Sequence, residues 1–306
     1  MEIITTLIPL FILIALGWFA RRYGFLPPDF LGPANRLVYY LAVPALIFRA
    51  ISRSDFTTQF NSQVLVATLI PILVVFSLAW GIGRLGWVRR PRTGPFIQCS
   101  IHGNLGYFAL PVSYYFLGEK GFIVAGILAG FVMILQNLMA VWALQSWGHK
   151  TDSRQMGLTA FRGIITNPVI LSALGGIFFS LLPISMPSFI DRTLEMLSNF
   201  ALPMALLIIG ASLSLQIQRS WIMPVLAASF LKLITLPALG FLMFQIFALD
   251  STQFGPALII LSTPTATVTY VMSREMTGNG DFAASAISTS TILCALTFTM
   301  WLHFAL

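Results

Sequence analysis

The sequence predicts an all-α polytopic membrane protein, with ten transmembrane helices arranged as two inverted five-helix repeats. Three observations lead there. The 306 residues are 57% hydrophobic with a mean hydropathy of +0.87, and only 9% are charged. A soluble domain carries about 25% charged residues, so this chain could not cover a water-facing surface of its size. The charges also lie between apolar stretches of at least the ~20 residues that cross a bilayer. Finally, those stretches are continuously apolar rather than alternating, which selects helices over barrel strands as the way to satisfy backbone hydrogen bonds in lipid.

In order, the stretches are Ile3–Ala20, Leu31–Ile51, Phe56–Gly83, Thr93–Gly118 and Gly121–His149, then Gly163–Ile190, Met196–Gln218, Ser220–Leu249, Ser251–Ser273 and Phe282–Leu306. Arg36 and Arg49 fall near the ends of the second, and Lys232 lies inside the eighth. The first is preceded by the acidic Glu2 and followed by Arg21-Arg22, the reverse of a signal peptide's charge order, so it reads as a membrane helix with its N-terminus outside. With that orientation, eleven Lys and Arg fall in cytoplasmic loops (among them Arg84, Arg89, Arg90, Lys150, Arg154 and Arg162). The outer loops hold four: Arg49, Arg53, Lys120 and Arg192. This agrees with the positive-inside rule and places both termini outside the cytoplasm of an inner or plasma membrane. The formal charge of +7 is accounted for by these loops, and no nucleic-acid partner is expected. The Arg84–Arg92 run either retains its loop in the cytoplasm or binds anionic lipid.

A short polar linker, residues 148–160, separates residues 1–147 from 161–306. Leu41-Ala42-Val43-Pro44-Ala45-Leu46 in the second stretch resembles Phe200-Ala201-Leu202-Pro203-Met204-Ala205 in the seventh. The fourth and ninth stretches both carry a mid-span proline, Pro111 and Pro264, among small and polar residues. Five spans per half force the second half to insert upside down, the architecture of many secondary transporters with broken helices at the midplane. Proline removes a helical hydrogen bond, and the freed groups are tolerated in a membrane only beside protein or a watery cavity.

At these residues the sequence resembles the auxin efflux carrier family, which includes plant PIN-FORMED carriers and bacterial malonate and malate permeases. The similar pieces are Asn35-Arg36-Leu37-Val38 with Ala42-Val43-Pro44-Ala45-Leu46-Ile47-Phe48, Asn104 with Pro111, Gln136, and Pro264 followed by Ser273-Arg274-Glu275. The resemblance implies broken fourth and ninth helices crossing at their prolines, a scaffold with a mobile transport part working as an elevator, organic-anion substrates and a homodimer. The short linker differs from the long regulatory loop of the plant carriers, and Lys232 looks like the bacterial branch.

Asn104, Pro111, Pro264, Thr265 and Gln136 are the candidate substrate-binding residues, and Lys232 and His102 the candidates for coupling or charge compensation. Lys232 stands some twelve residues from either end of its stretch, where a lysine must face protein and find a partner. It can act as a fixed cation where related folds bind sodium, as a proton carrier, or as a donor to carbonyls freed by a broken helix. Asn104 can bind a carboxylate or cap the break. His102 can titrate in a transport cycle or serve the fold. Gln136 either lines the pathway or bonds between helices.

The expected function is a secondary transporter of small organic anions, proton-coupled or gradient-driven, with the anion and the lipid bilayer as its partners. A channel or ligand sensor is the alternative. The chain has no GxxxxGK[ST] stretch, so ATP-driven transport is not expected. Its acids are scattered at loop edges except Asp191 and Glu195, and Cys99 and Cys294 lie apart in apolar stretches. No enzyme activity, metal or cofactor is expected.

Overall fold

The computed structural model describes residues 2–53, 59–148, 165–182, 184, 186–213 and 218–305. The linker from residue 149 onward, with Lys150, Arg154 and Arg162, lies outside the described residues. Among the described residues the regular structure is helical. The helices are α1 (Glu2–Arg22), α2 (Pro28–Leu37), α3 (Val43–Ser52), α4 (Ser62–Arg84), α5 (Arg90–Ile101), α6 (Leu110–Trp147) and α7 (Pro168–Ser180). They continue as α8 (Ser188–Ser212), α9 (Ile222–Phe230), α10 (Leu236–Ile246), α11 (Ser251–Ser262), α12 (Val268–Thr277) and α13 (Gly280–Ala305).

Among the described residues, six helical runs are long and apolar enough to cross a membrane: Asp29–Ser52, Ser62–Arg84, Leu105–Trp147, Ser188–Ser212, Arg219–Ile246 and Gly280–Phe304. On α1, Leu7, Leu10 and Ile14 are buried while Ile8, Ile12, Leu16 and Phe19 are exposed. A helix whose outer face is as apolar as its inner one has lipid, not water, as its solvent. The Leu105–Trp147 run is divided at Gly118, whose φ of 69° is left-handed and carries no Cβ penalty in glycine. The charged pair Glu119-Lys120 follows at once, so the division coincides with the boundary between the fourth and fifth apolar stretches. Among the described residues, the sixth stretch holds the 13-residue α7, about 20 Å of helix, and the first residues of α8.

Three helices widen by one residue for a single turn, at Val38–Ala42, Leu105–Ala109 and Leu231–Thr235. In each case a proline stands at the second residue beyond: Pro44, Pro111 and Pro237. Proline lacks an N–H and its ring collides with the carbonyl four residues back; a widened turn relieves that collision without ending the helix. For Pro237 the carbonyl left over is that of Leu233, which instead accepts from the Trp301 indole Nε1 at 2.9 Å. Pro203 is inside the continuous α8, so the two members of the sequence match around Pro44 and Pro203 are built differently.

The chain forms two compact units, each drawing on both sequence halves. The first comprises Met1–Ser62, Gly106–Phe131 and Ile165–Ser212; the second comprises Gln63–Leu105, Val132–Ile164 and Leu213–Leu306. In the first unit α1 lies directly on α8. A Cβ built on Gly210 would fall 1.8 Å from the Ile14 carbonyl oxygen, and one on Gly17 would fall 2.1 Å from that of Leu207. The side chains of α3 and α8 meet through charge: Arg49 Nε donates to Asp191 Oδ1 at 3.0 Å, Arg49 Nη2 lies 3.4 Å from Glu195 Oε1, and Arg53 pairs with Asp191. The two acids that stood closest together in sequence thus face arginines. Such half-exposed pairs contribute about 0–1 kcal/mol each, so they fix orientation more than stability. In the second unit α5 packs on α9, α12 and α13, and α12 packs on α13.

Two expectations follow. Gly210→Ala should destabilise the detergent-solubilised protein by about 1–3 kcal/mol, the cost of overpacking. Gly81→Ala, at a helical glycine whose added Cβ meets nothing within 4 Å, should be neutral or stabilising; thermal melts of the pair check this. Asp250 caps α11, accepting from the Gln253 amide at 3.0 Å while the Gln253 side chain returns to the Asp250 amide. The Thr252 hydroxyl and the Gln253 amide hold its carboxyl below the usual carboxylate range. A lowered folded pKa gives stability that is present above the unfolded value of about 3.9 and lost as pH falls through the folded one. Melts at neutral pH and below about pH 4 should therefore show an acid-side loss that Asp250→Asn reduces.

Candidate functional site

Within the second unit, two helices stop in the middle of apolar stretches. The first, α5, ends at Ile101, and the chain resumes a helical course at Leu105; α11 ends at Ser262 and α12 begins at Val268. The two connecting segments run antiparallel and pair as a two-residue β-bridge at Gly103 and Thr265. The Asn104 amide donates to the Pro264 carbonyl at 2.9 Å, and the Ala266 amide to the His102 carbonyl at 2.9 Å. Each break thus supplies the backbone partners that the other lacks, which apolar surroundings require.

Gly103 makes the approach possible. A Cβ there would stand 2.4 Å from Thr263 Oγ1 and 3.3 Å from Lys232 Cε. The resemblance implied a crossing at prolines. Pro264 does lie in its crossing segment, but the fourth stretch breaks at Gly103, and Pro111 sits in the first turn of α6. The widened turn Leu105–Ala109 relieves the clash between the proline ring and the carbonyl four residues back, so the helix that began at Leu105 goes on through it.

The carbonyls left open at the two helix C-termini are closed by side chains. Thr265 Oγ1 donates to the Cys99 carbonyl at 3.0 Å, and Gln136 Nε2 to that of Ile101 at 3.0 Å. At the end of α11, Thr263 Oγ1 donates to Ile260 at 2.9 Å and Cys294 Sγ to Ser262 at 3.8 Å. Lys232 Nζ donates to Leu261 at 2.8 Å, from a side chain with 0% exposure. The widened turn Leu231–Thr235 carries Lys232 into this position. Two helix C-termini bring roughly half a negative charge each.

Of the residues expected at a site, Lys232, His102, Asn104, Pro264, Thr265 and Gln136 all gather at this crossing and are buried. Pro111 belongs to the first unit. In that unit Tyr107, also in a widened turn, donates its hydroxyl to Asn35 Oδ1 at 2.8 Å. Around the crossing, His102 Nδ1, Gln136 Oε1 and Ser262 Oγ have no hydrogen-bond partner among the described residues. Buried polar atoms left open cost free energy unless something visits them.

Gly103, Thr263, Gln98 and Ser290 take part without having been singled out from the sequence. Gln98 is buried in α5; its Oε1 accepts from Ser273 Oγ at 3.0 Å and its Nε2 approaches Met272 Sδ at 3.2 Å, tying α5 to α12. Ser290 Oγ accepts from the Thr265 amide at 3.1 Å. A glycine between His102 and Asn104 was the readable signal for the close approach. Gln98 had none, since nothing in its neighbourhood distinguishes a bridging glutamine from a packing one.

A multi-pass helical membrane protein with broken helices paired in mid-span is, by its build, a protein of the transporter type. The family model described as membrane transport protein matches residues 2–302, and the chain belongs to that family, the one that holds the auxin efflux carriers. A Rhizobium meliloti protein named "Putative malonate transporter" is 26% identical, the match covering 99% of this chain and 95% of that one. An uncharacterized transporter of Methanocaldococcus jannaschii is 25% identical over 95% of this chain and 94% of its own. Auxin efflux carrier component 8 of Arabidopsis thaliana is 24% identical over 100% of this chain and 97% of its own.

Gly103→Ala should cost about 1–3 kcal/mol by pushing the two segments apart. Adding Thr263→Ala removes the oxygen that the new methyl meets and should recover part of the loss. Thermal unfolding of the single and double variants checks the coupling.

Proposed function

We propose that the chain is a secondary transporter moving small organic anions, mono- or dicarboxylates, across an inner or plasma membrane by elevator-type alternating access. Ten spans in two inverted repeats, residues 1–147 and 161–306 joined by the 148–160 linker, would carry it, with both termini outside the cytoplasm and two copies forming a homodimer. The unit that contains the crossing is the transport part and the other unit the scaffold. The names of the Rhizobium and Arabidopsis relatives refer to malonate and auxin, both of which present a carboxylate.

The observation that supports this reading most is Lys232 donating to the Leu261 carbonyl at the meeting of two half-helix C-termini. Two converging C-termini attract a cation, and a carrier that must cycle empty benefits from having that cation covalently attached. With the negative ends compensated, an anion can approach the crossing without meeting net negative charge. The first turn of α12 starts just beyond it, and Thr267 at its N-cap makes no side-chain cap bond there. The Thr267 and Val268 amides at that start, with the Asn104 side chain and Thr265 nearby, are the donors for a carboxylate. Gln136 and Pro264 shape the same place, and Pro111 begins the helix that continues from it. His102, whose Nδ1 has no hydrogen-bond partner among the described residues, would be the group that links transport to pH, whether the drive is a proton gradient or the anion's own.

Proteoliposomes loaded with malonate or a monocarboxylate should show saturable uptake and counterflow. Asn104→Ala should weaken carboxylate binding by about 1–3 kcal/mol, the cost of a lost bond to a charged group. Lys232→Met should fold with reduced stability and lose uptake. No uptake of any carboxylate under imposed proton or substrate gradients would refute the reading, and a non-saturating flux would replace the carrier with a channel.

A further inference from the structure

At one end of the second unit α4 turns into α5 through residues 85–89. Two large apolar side chains of this turn stand outward, Leu85 at 86% and Trp87 at 52% exposure. They are flanked by Arg84 before them and Arg89-Arg90 after them, all exposed. Among the described residues none of these three guanidiniums is in an ion pair.

The same end carries a cluster of indoles. Trp80 lies 5.0 Å from Trp142 and 5.8 Å from Trp147, ring centre to ring centre. Trp147 reaches α4 beside Gly83, 3.7 Å from where a Cβ would be. Across the start of α5, the Arg92 guanidinium covers the Trp221 ring at 5.0 Å, and the Asn279 amide holds the Pro91 carbonyl at 2.8 Å. Tryptophans gather where acyl chains give way to headgroups, so this cluster marks the level of the headgroups on the outside of the unit. Arg84 follows Trp80 by four residues, about one helical turn, in α4.

We propose that the α4–α5 corner is a binding site for the phosphate headgroup of an anionic phospholipid. Arg84, Arg89 and Arg90 hold the phosphate, and Leu85 and Trp87 enter the leaflet beside its acyl chains. Water as the only neighbour would leave two large apolar side chains exposed between three unpaired cations. A zwitterionic headgroup would bring a positive group of its own against them. An anionic lipid satisfies both halves of the corner, and Arg92, already occupied by the Trp221 face, keeps the start of α5 in place behind the site. The site is separate from the crossing and does not depend on what the protein transports.

Native mass spectrometry of the detergent-purified chain, mixed with equal phosphatidylglycerol and phosphatidylcholine, reads this directly. Each arginine near a lipid surface is worth about fivefold in binding, so the wild type should retain phosphatidylglycerol in roughly tenfold excess or more. Arg89→Gln with Arg90→Gln should cut the ratio by about 25-fold, leaving about the fivefold preference that Arg84 supplies, and Arg89→Lys with Arg90→Lys should keep most of the preference. Excess inorganic phosphate should leave the ratio unchanged. Should the glutamine pair not fold, Arg89→Gln alone carries the comparison, with about fivefold loss expected. Equal retention of both lipids by the wild type, full preference in the glutamine variant, or displacement of the lipid by free phosphate overturns the proposal.

Discussion

Two chain breaks inside apolar stretches release backbone N–H and C=O groups where no solvent can take them, and the second unit is organised around closing them. The cost of leaving such a group open in hydrocarbon is several kcal/mol. The breaks therefore come as a pair, Gly103 against Thr265, each completing the other's backbone hydrogen bonding. What the pairing leaves over falls to side chains from three further helices: Gln136 of α6, Cys294 and Ser290 of α13, and Lys232 from the turn between α9 and α10. Other buried polar residues of this unit, Thr68, Ser100, Thr277 and Thr291 among them, bond to carbonyls of their own helices instead. A substrate would meet the few atoms that remain open.

The same constraint explains how the chain uses proline. At Pro44, Pro111 and Pro237 the preceding turn widens and the helix goes on, so the proline changes the phase of the helix instead of ending it. The widened turn before Pro237 places Lys232, and the one before Pro111 places Tyr107 against Asn35 in the first unit. In both cases a proline near a functional or anchoring side chain sets where that side chain points. Pro264 alone of the four lies in a true break, where the extended backbone favoured before a proline suits Thr263 at φ −63° and ψ 151°.

Much of this was legible in the sequence, for identifiable reasons. Charge placement marked the stretches that became helices, because a charge is costly in lipid wherever it occurs. Lys232 stood out for the same reason, and the polar runs around Asn104 and Thr265 signalled weak helices. The position of the first break did not follow: Pro111 is the stronger breaker by residue type, yet the widened turn before it lets the helix continue, and a glycine eight residues earlier takes the break. The pairing of Gln98 with Ser273 and of Arg49 with Asp191 were also out of reach, since contacts between residues more than a hundred positions apart depend on which helices become neighbours. Nor did the halves of the sequence foretell the compact units, which each collect segments from both.

If the Lys232 ammonium is the resident cation of the crossing, no mobile cation is needed to neutralise the two half-helix C-termini. Carboxylate counterflow in proteoliposomes, compared between sodium-containing and sodium-free choline media, tests this most directly. The account predicts equal rates in the two media for the wild-type chain. Counterflow that disappears without sodium would contradict it, because a mobile cation would then be filling a charge deficit that Lys232 is held to cover.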